Sequence, residues 1–143
     1  MTQLLEKLAK SFETVSPATP SAIETAEKFF NLKLPTDYKE FLQYTNGLEG
    51  ETTDSYLVLW SAEELVELNQ GYNVKEFVSN IILIGSDGAE DAFGFDTTNM
   101  TIVKLPFVGM GHIVNEKVSD TFGDFLSTQV KEENKGFFKR LFS

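Results

Sequence analysis

Apolar residues along this chain recur first at helical spacing, then at strand spacing, then at helical spacing again. Leu4, Leu5, Leu8 and Phe12 form one stripe and predict a helix over about residues 2–14. Ser16-Pro17-Ala18-Thr19-Pro20 breaks it, and Ser21 with Glu24 makes a capping-box pattern for a second helix. Ile23, Ala26, Phe29 and Phe30 give that helix its buried face. Pro35 can start a third helix, because its missing N–H is not needed in the first turn. Tyr38, Phe41, Leu42 and Thr45 follow at i, i+3, i+4 and i+7, and Asn46-Gly47 ends the run where a left-handed residue costs least.

After Gly47 the period changes. GLEGETTDS reads as a polar loop and Tyr56 to Trp60 (YLVLW) as a strand. Ser61 and Glu64 form another capping box for a short helix through Leu65 and Leu68, with a helical turn to follow in residues 72–79. The unbroken apolar run within Asn80 to Gly85 predicts a strand buried on both faces. Ala92 to Phe95 and Thr101 to Leu105, separated by a turn at Asp96–Asn99, predict an antiparallel hairpin, and Ile113-Val114 a last short strand. Thr121 and Asp124 cap a helix presenting Phe122, Phe125, Leu126 and Val130. In the tail, Phe137, Phe138, Leu141 and Phe142 share a helical stripe beside Lys135, Lys139 and Arg140. That pattern predicts a terminal helix docked on the body, with a partner- or membrane-contacting helix as the alternative. The order favours an α+β fold in a single domain over residues 1–143, with a mainly antiparallel sheet flanked by N-terminal helices and a C-terminal helix.

Composition narrows the function. At 143 residues and 41% hydrophobic content the chain can bury a real core. Its longest apolar run, Ile81 to Ile84, is too short to span a bilayer, and its N-terminus lacks the apolar stretch of a signal peptide. The expected location is cytoplasmic. The absence of cysteine excludes disulfides, thiol nucleophiles and cysteine metal sites.

Charge is concentrated rather than spread. Residues 1–45 carry a net −1, residues 46–100 hold eleven acids and one base, and residues 101–143 carry a net +1. The middle segment thus holds an excess equal to the −10 of the whole chain. Such a field repels nucleic acid and anionic membrane and attracts basic proteins or cations. A solvated acidic surface that only confers solubility is the plainer reading of the same charge.

A search for catalytic groups returns little. The single histidine, His112, has no partner at zinc or serine-hydrolase spacing. VGMGHIV has valine, Val114, at the third glycine position of a dinucleotide fingerprint and no βαβ context. Ser86 is not a nucleophile elbow, since Ile84 stands where the first glycine is required. Asn99-Met100-Thr101 matches a glycosylation sequon in a chain without a secretion signal. Trp60, Phe93 and Phe95 read as core before they read as a ligand-binding wall. Carboxylates are the abundant chemistry: Glu49, Glu51 and Asp54 in one loop, then Asp87, Glu90, Asp91 and Asp96 in one strand–loop–strand segment. Paired acids can serve a glycosidase or hold Ca²⁺ or Mg²⁺. Asp87-Gly88-Ala89-Glu90, however, lacks the alternating oxygen ligands of an EF-hand loop.

The ordered set of features in residues 20–128 resembles the SUKH superfamily, which includes fungal cell-wall assembly and glucan-synthesis regulators and many bacterial toxin-immunity proteins. The resemblance rests on Glu24 or Glu27, Leu34-Pro35, Tyr38, Phe41-Leu42 and Asn46-Gly47 within AIETAEKFFNLKLPTDYKEFLQYTNG. Trp60 at a strand end, Ile84-Gly85-Ser86-Asp87-Gly88, and Thr121-Phe122-Gly123-Asp124-Phe125-Leu126 continue it. Ala89-Glu90 replaces the further glycines of many members, and residues beyond about Val130 fall outside the shared pattern.

The resemblance implies an α+β domain, one largely antiparallel sheet flanked by helices, without enzymatic activity; no cofactor or metal is expected, and whether the acidic segment binds a cation stays open. For bacterial members it implies neutralisation of a co-encoded toxin, often a nuclease, by direct binding. Many nucleases are basic because they bind phosphate backbones. The expected partner is therefore a basic protein, a cognate toxin domain, rather than nucleic acid. The expected contact set is Glu49, Glu51, Asp54, Asp87, Glu90, Asp91 and Asp96. A regulatory adaptor linked to cell-wall glucan synthesis is the alternative, and a carboxylate-based or metal-dependent hydrolase a third class. The sequence leaves the oligomeric state open.

Overall fold

The computed structural model describes residues 1–112 and 115–130. Three helices come first: α1 (Thr2–Ser11), α2 (Pro20–Phe30) and α3 (Thr36–Tyr44). A hairpin of β1 (Leu48–Glu51) and β2 (Tyr56–Leu59) follows, then α4 (Ala62–Gly71) and α5 (Val74–Phe77). The chain continues through β3 (Ile81–Ser86), β4 (Asp91–Asp96), β5 (Thr101–Pro106) and β6 (Glu116–Ser119) to α6 (Phe122–Gln129). The strands form one antiparallel sheet in sequence order, β1 to β6. This is the predicted α+β architecture. Among the described residues no helix is long and apolar enough to cross a membrane.

Alternation along the strands sends side chains to two apolar layers. Leu57, Leu59, Ile82, Ile84, Phe93, Phe95 and Ile102 join the buried faces of α1, α2, α3 and α6. Trp60, Ile81, Leu83, Ala92, Val103 and Leu105 face the other way, where Val74 and Met110 cover them. All six residues of β3 are consequently buried, as its unbroken apolar run predicts.

Several local expectations change. Helix α1 stops at Ser11, and Phe12 is already extended. The cap of α2 is Thr19, whose hydroxyl accepts from the Ala22 N–H, because Pro20 has the φ needed at the first helical position. Ser21 therefore lies inside the helix, and its carbonyl accepts from Thr25. The stretch read as a polar loop after Gly47 contains β1, paired with β2 from Leu48↔Leu59 to Glu51↔Tyr56. The last strand is Glu116–Ser119. The strand expected at Ile113-Val114 and the terminal helix expected in residues 131–143 lie outside the described residues.

Two buried polar groups set the inner geometry. Strand β2 pairs with β3 only at Val58↔Ser86 and Leu59↔Gly85, after which the Trp60 N–H reaches Ile84 and the chain departs into α4. The edge of β3 left behind at Leu83 is completed by a side chain. Asn69 of α4 accepts from the Leu83 N–H at 2.9 Å and donates to the Leu83 carbonyl at 2.9 Å and the Leu65 carbonyl at 2.7 Å. The second group, Tyr38, is wholly buried, and its hydroxyl has no hydrogen-bond partner among the described residues. Burial pushes that phenol far above its ordinary pKa.

Opposite outcomes are expected at these two positions. Asn69→Leu strands both Leu83 backbone groups and should cost about 2–4 kcal/mol, read from the urea midpoint. A loss below about 1 kcal/mol would show that the amide does not hold the edge. Tyr38→Phe keeps the ring and removes an unpaired hydroxyl, so it should leave stability unchanged or raise it by about 1 kcal/mol.

Candidate functional site: the acidic end of the sheet

Antiparallel order brings the β1–β2 turn and the β3–β4 turn to the same end of the sheet. The register Val58↔Ser86 sets the start of β2 beside the end of β3. Contact is close: a Cβ on Gly88 would lie 2.7 Å from the Tyr56 ring, and Gly88 has φ +76°, so glycine is required twice over. Glu49, Glu51 and Asp54 from the first hairpin thus share one end of the sheet with Asp87, Glu90 and Asp91 from the second turn. Two groups distant in sequence make one acidic end.

Within it the carboxylates differ in role. Asp87 Oδ1 accepts from the Ala89 and Asp91 N–H groups at 2.9 and 3.2 Å, which shapes the turn. Asp91 lies 3.5 Å from the Lys104 Nζ. Glu49, Glu51, Asp54 and Glu90 are exposed. Tyr56 stands among them, and its phenol is raised by partial desolvation first and then by the hydrogen bond and charge of Glu49 and the charge of Glu51.

Asp96 does not belong to this end. The β4–β5 turn carries it to the opposite end, where β4 pairs Asp96 with Ile81 and Thr101. Five strand steps separate it from Asp91, about 17 Å. There it is occupied locally, accepting from the Thr98 hydroxyl and N–H at 2.6 and 3.0 Å and from Asn80 at 3.3 Å.

Sequence reasoning missed one acid. Glu116 opens β6 opposite Lys104 and is exposed at the acidic end. It sits in the segment whose net charge is positive, so local charge counting hid it. With Ser55, Tyr56, Asp87, Phe93 and Lys104 it borders a cleft of about 360 Å³.

Other candidates resolve differently. Among the described residues no group of three or more His, Asp or Glu is placed to hold a metal ion. His112 is exposed, and its N–H bonds the Gly109 carbonyl. Phe93 and Phe95 are core on one face of the sheet and Trp60 on the other. A larger cavity of about 400 Å³ lies between α2, α4, α5 and β3. Its buried polar lining residue, Asn69, is already fully engaged by backbone.

An antiparallel six-stranded meander flanked by helices, with carboxylates exposed at one end, places the chain among the α+β proteins. The SMI1 / KNR4 family (SUKH-1) matches residues 17–128, and the chain belongs to it. The chain is also 36% identical over 75 residues to the uncharacterized protein YnaB of Bacillus subtilis (strain 168). That match covers 52% of this chain and 48% of the relative, so the chain spans about half the length of the curated protein it matches.

The Asp96 bonds make an acid-range prediction. Thr98 above all, against partial burial, holds this carboxyl below the ordinary carboxylate range, with the Thr98 N–H and Asn80 adding to the effect. A depressed carboxyl stabilises the fold fully above its unfolded value of about 3.9, and the gain is lost as pH falls through the folded value. Stability measured from about pH 5 to pH 2 should fall more steeply in the parent than in Asp96→Asn. Parallel curves would remove Asp96 from the acid limb.

Proposed function

We propose that this protein is a binding module that neutralises a cognate toxin domain by covering its active site or substrate groove, without catalysis of its own. The observation that carries the reading is the gathering of Glu49, Glu51, Asp54, Asp87, Glu90 and Asp91 at one end of the sheet, joined by Glu116. Asp96, at the other end, is left out of the contact set. Membership in the SMI1 / KNR4 family supports a protein partner, and the resemblance to bacterial immunity proteins supports a toxin.

Physical chemistry then describes the partner. Exposed carboxylates contribute little binding energy each, about 0–1 kcal/mol per pair in water-like surroundings. Gathered on one surface, they accelerate encounter with a basic protein and penalise acidic competitors. A nuclease domain that binds phosphate backbones presents the complementary charge.

The test begins with the neighbouring gene. A large secreted protein with a variable C-terminal domain next to this gene supplies the candidate toxin, and an isolated gene favours the glucan-synthesis adaptor instead. Against the co-expressed toxin domain, Glu51→Lys with Glu90→Lys should slow association on the order of tenfold at low salt and flatten its salt dependence. An association rate unchanged by both reversals would sink the acidic-end assignment.

A further inference from the structure

Tyr72 and Phe77 are 43% and 54% exposed and meet Phe107 and Met110 on the sheet face opposite the N-terminal helices, and Val108, next to Phe107 in the chain, is 89% exposed. Tyr72, Phe77, Phe107, Gly109, Met110 and His112 line a pocket there of about 180 Å³, and Val108 lies in the chain between two of them, Phe107 and Gly109. No lysine or arginine lines it. The volume is below the roughly 300–1,000 Å³ of small-molecule sites and suits a single inserted side chain.

The pocket is built rather than incidental. Trp60 stacks on Tyr72 at 6.4 Å and 9°, and Tyr72 meets Phe107 at 4.8 Å. Met110 is buried against Val74, Leu83 and Leu105. The loop after β5 is pressed onto α5: a Cβ on Gly111, which has φ +91°, would lie 2.5 Å from the Phe77 carbonyl oxygen. A preformed wall of this kind reduces the ordering cost of binding.

It also adjoins the acidic end. The Phe107 N–H donates to the Glu90 carbonyl at 3.0 Å, so the carboxylate-bearing turn borders the aromatic wall. An apolar centre beside a charged rim is the usual anatomy of a protein interface, with aromatic pockets receiving the anchor residues.

We infer that this pocket is the anchor site for a basic protein partner, receiving one aliphatic or aromatic side chain flanked by lysine or arginine. The inference rests on reading the acidic end as a protein-contact surface and adds the residue type that the partner contributes.

A random-peptide phage library panned against the immobilised full chain tests it. Selected peptides should carry an aromatic or aliphatic residue flanked by lysine or arginine. A synthetic copy should bind about tenfold more weakly to Phe77→Ser and Val108→Ser, and equally to the α2 surface control Glu24→Lys. Both patch side chains are more than half exposed, so folding is preserved and circular dichroism verifies it. No enrichment, or undiminished binding to both serine variants, overturns the anchor site. Binding that survives those variants but is lost in Glu51→Lys/Glu90→Lys overturns the pocket and keeps the acidic-end reading. The reverse pattern keeps the pocket and overturns the acidic-end reading. A dimer of the full chain in sedimentation that Val108→Ser dissociates identifies a second copy as the occupant, which overturns the basic-partner assignment.

Discussion

The carboxamide of Asn69 ties α4 to the central strand β3. Where β2 leaves the sheet, β3 would face the interior with an unpaired N–H and C=O at Leu83, and buried backbone groups of that kind are rarely left orphaned. A side-chain amide offers the same donor and acceptor as a peptide group, and Asn69 supplies both from α4. The substitution lets β3 stay buried on both faces although its neighbour strand is short. It also fixes α4 against the sheet, and Tyr72, the residue that caps the end of α4, is the middle of the aromatic wall.

The segment that carries the family resemblance works as a scaffold. Leu34, Tyr38, Phe41 and Leu42 are all in the core. Tyr38 meets Phe122 at 4.9 Å and Phe95 at 5.1 Å, joining α3 to α6 and to the sheet, with each such pair worth about 0.5–1.5 kcal/mol beyond burial. Asp37 accepts from the Gly123 N–H at 2.8 Å, placing a carboxylate at the positive end of α6. The sequence leaves Glu24 and Glu27 equal as the helix glutamate of the pattern, and burial separates them. Glu27 accepts from the Leu34 N–H at 2.8 Å and lies 3.4 Å from Lys39. Glu24 makes only an exposed pair with Lys28, which contributes little.

Legibility followed burial. Strand β3, the β4–β5 hairpin, the capping box of α4 and the Thr121 cap of α6 were readable because apolar runs and cap residues report on local environment. Strand β1 was not, because a four-residue edge strand carrying two glutamates has the composition of a loop. The N-terminus of α2 misled because Ser21 and Glu24 imitate a capping box that Pro20 pre-empts. For the acidic site, the sequence showed which residues are charged but not which end of a strand they occupy. Asp96 lies five positions from Asp91 and faces the other end, whereas Glu51 and Glu90 are far apart in sequence and share one. The aromatic pocket was invisible for the same reason, since Tyr72 and Phe77 come from one segment and Phe107 and Met110 from another, thirty or more positions on.

Trp60 gives one of these features a practical meaning. It is the chain's single tryptophan, it is 6% exposed, and its ring lies parallel to that of Tyr72 with centroids 6.4 Å apart. The protein's indole emission therefore arises from one known place, and the phenol beside it sits on the surface. Whatever settles over Tyr72 alters the polarity around that indole through a single intervening ring. The fold thus contains its own optical probe of the face opposite the N-terminal helices, readable without any label.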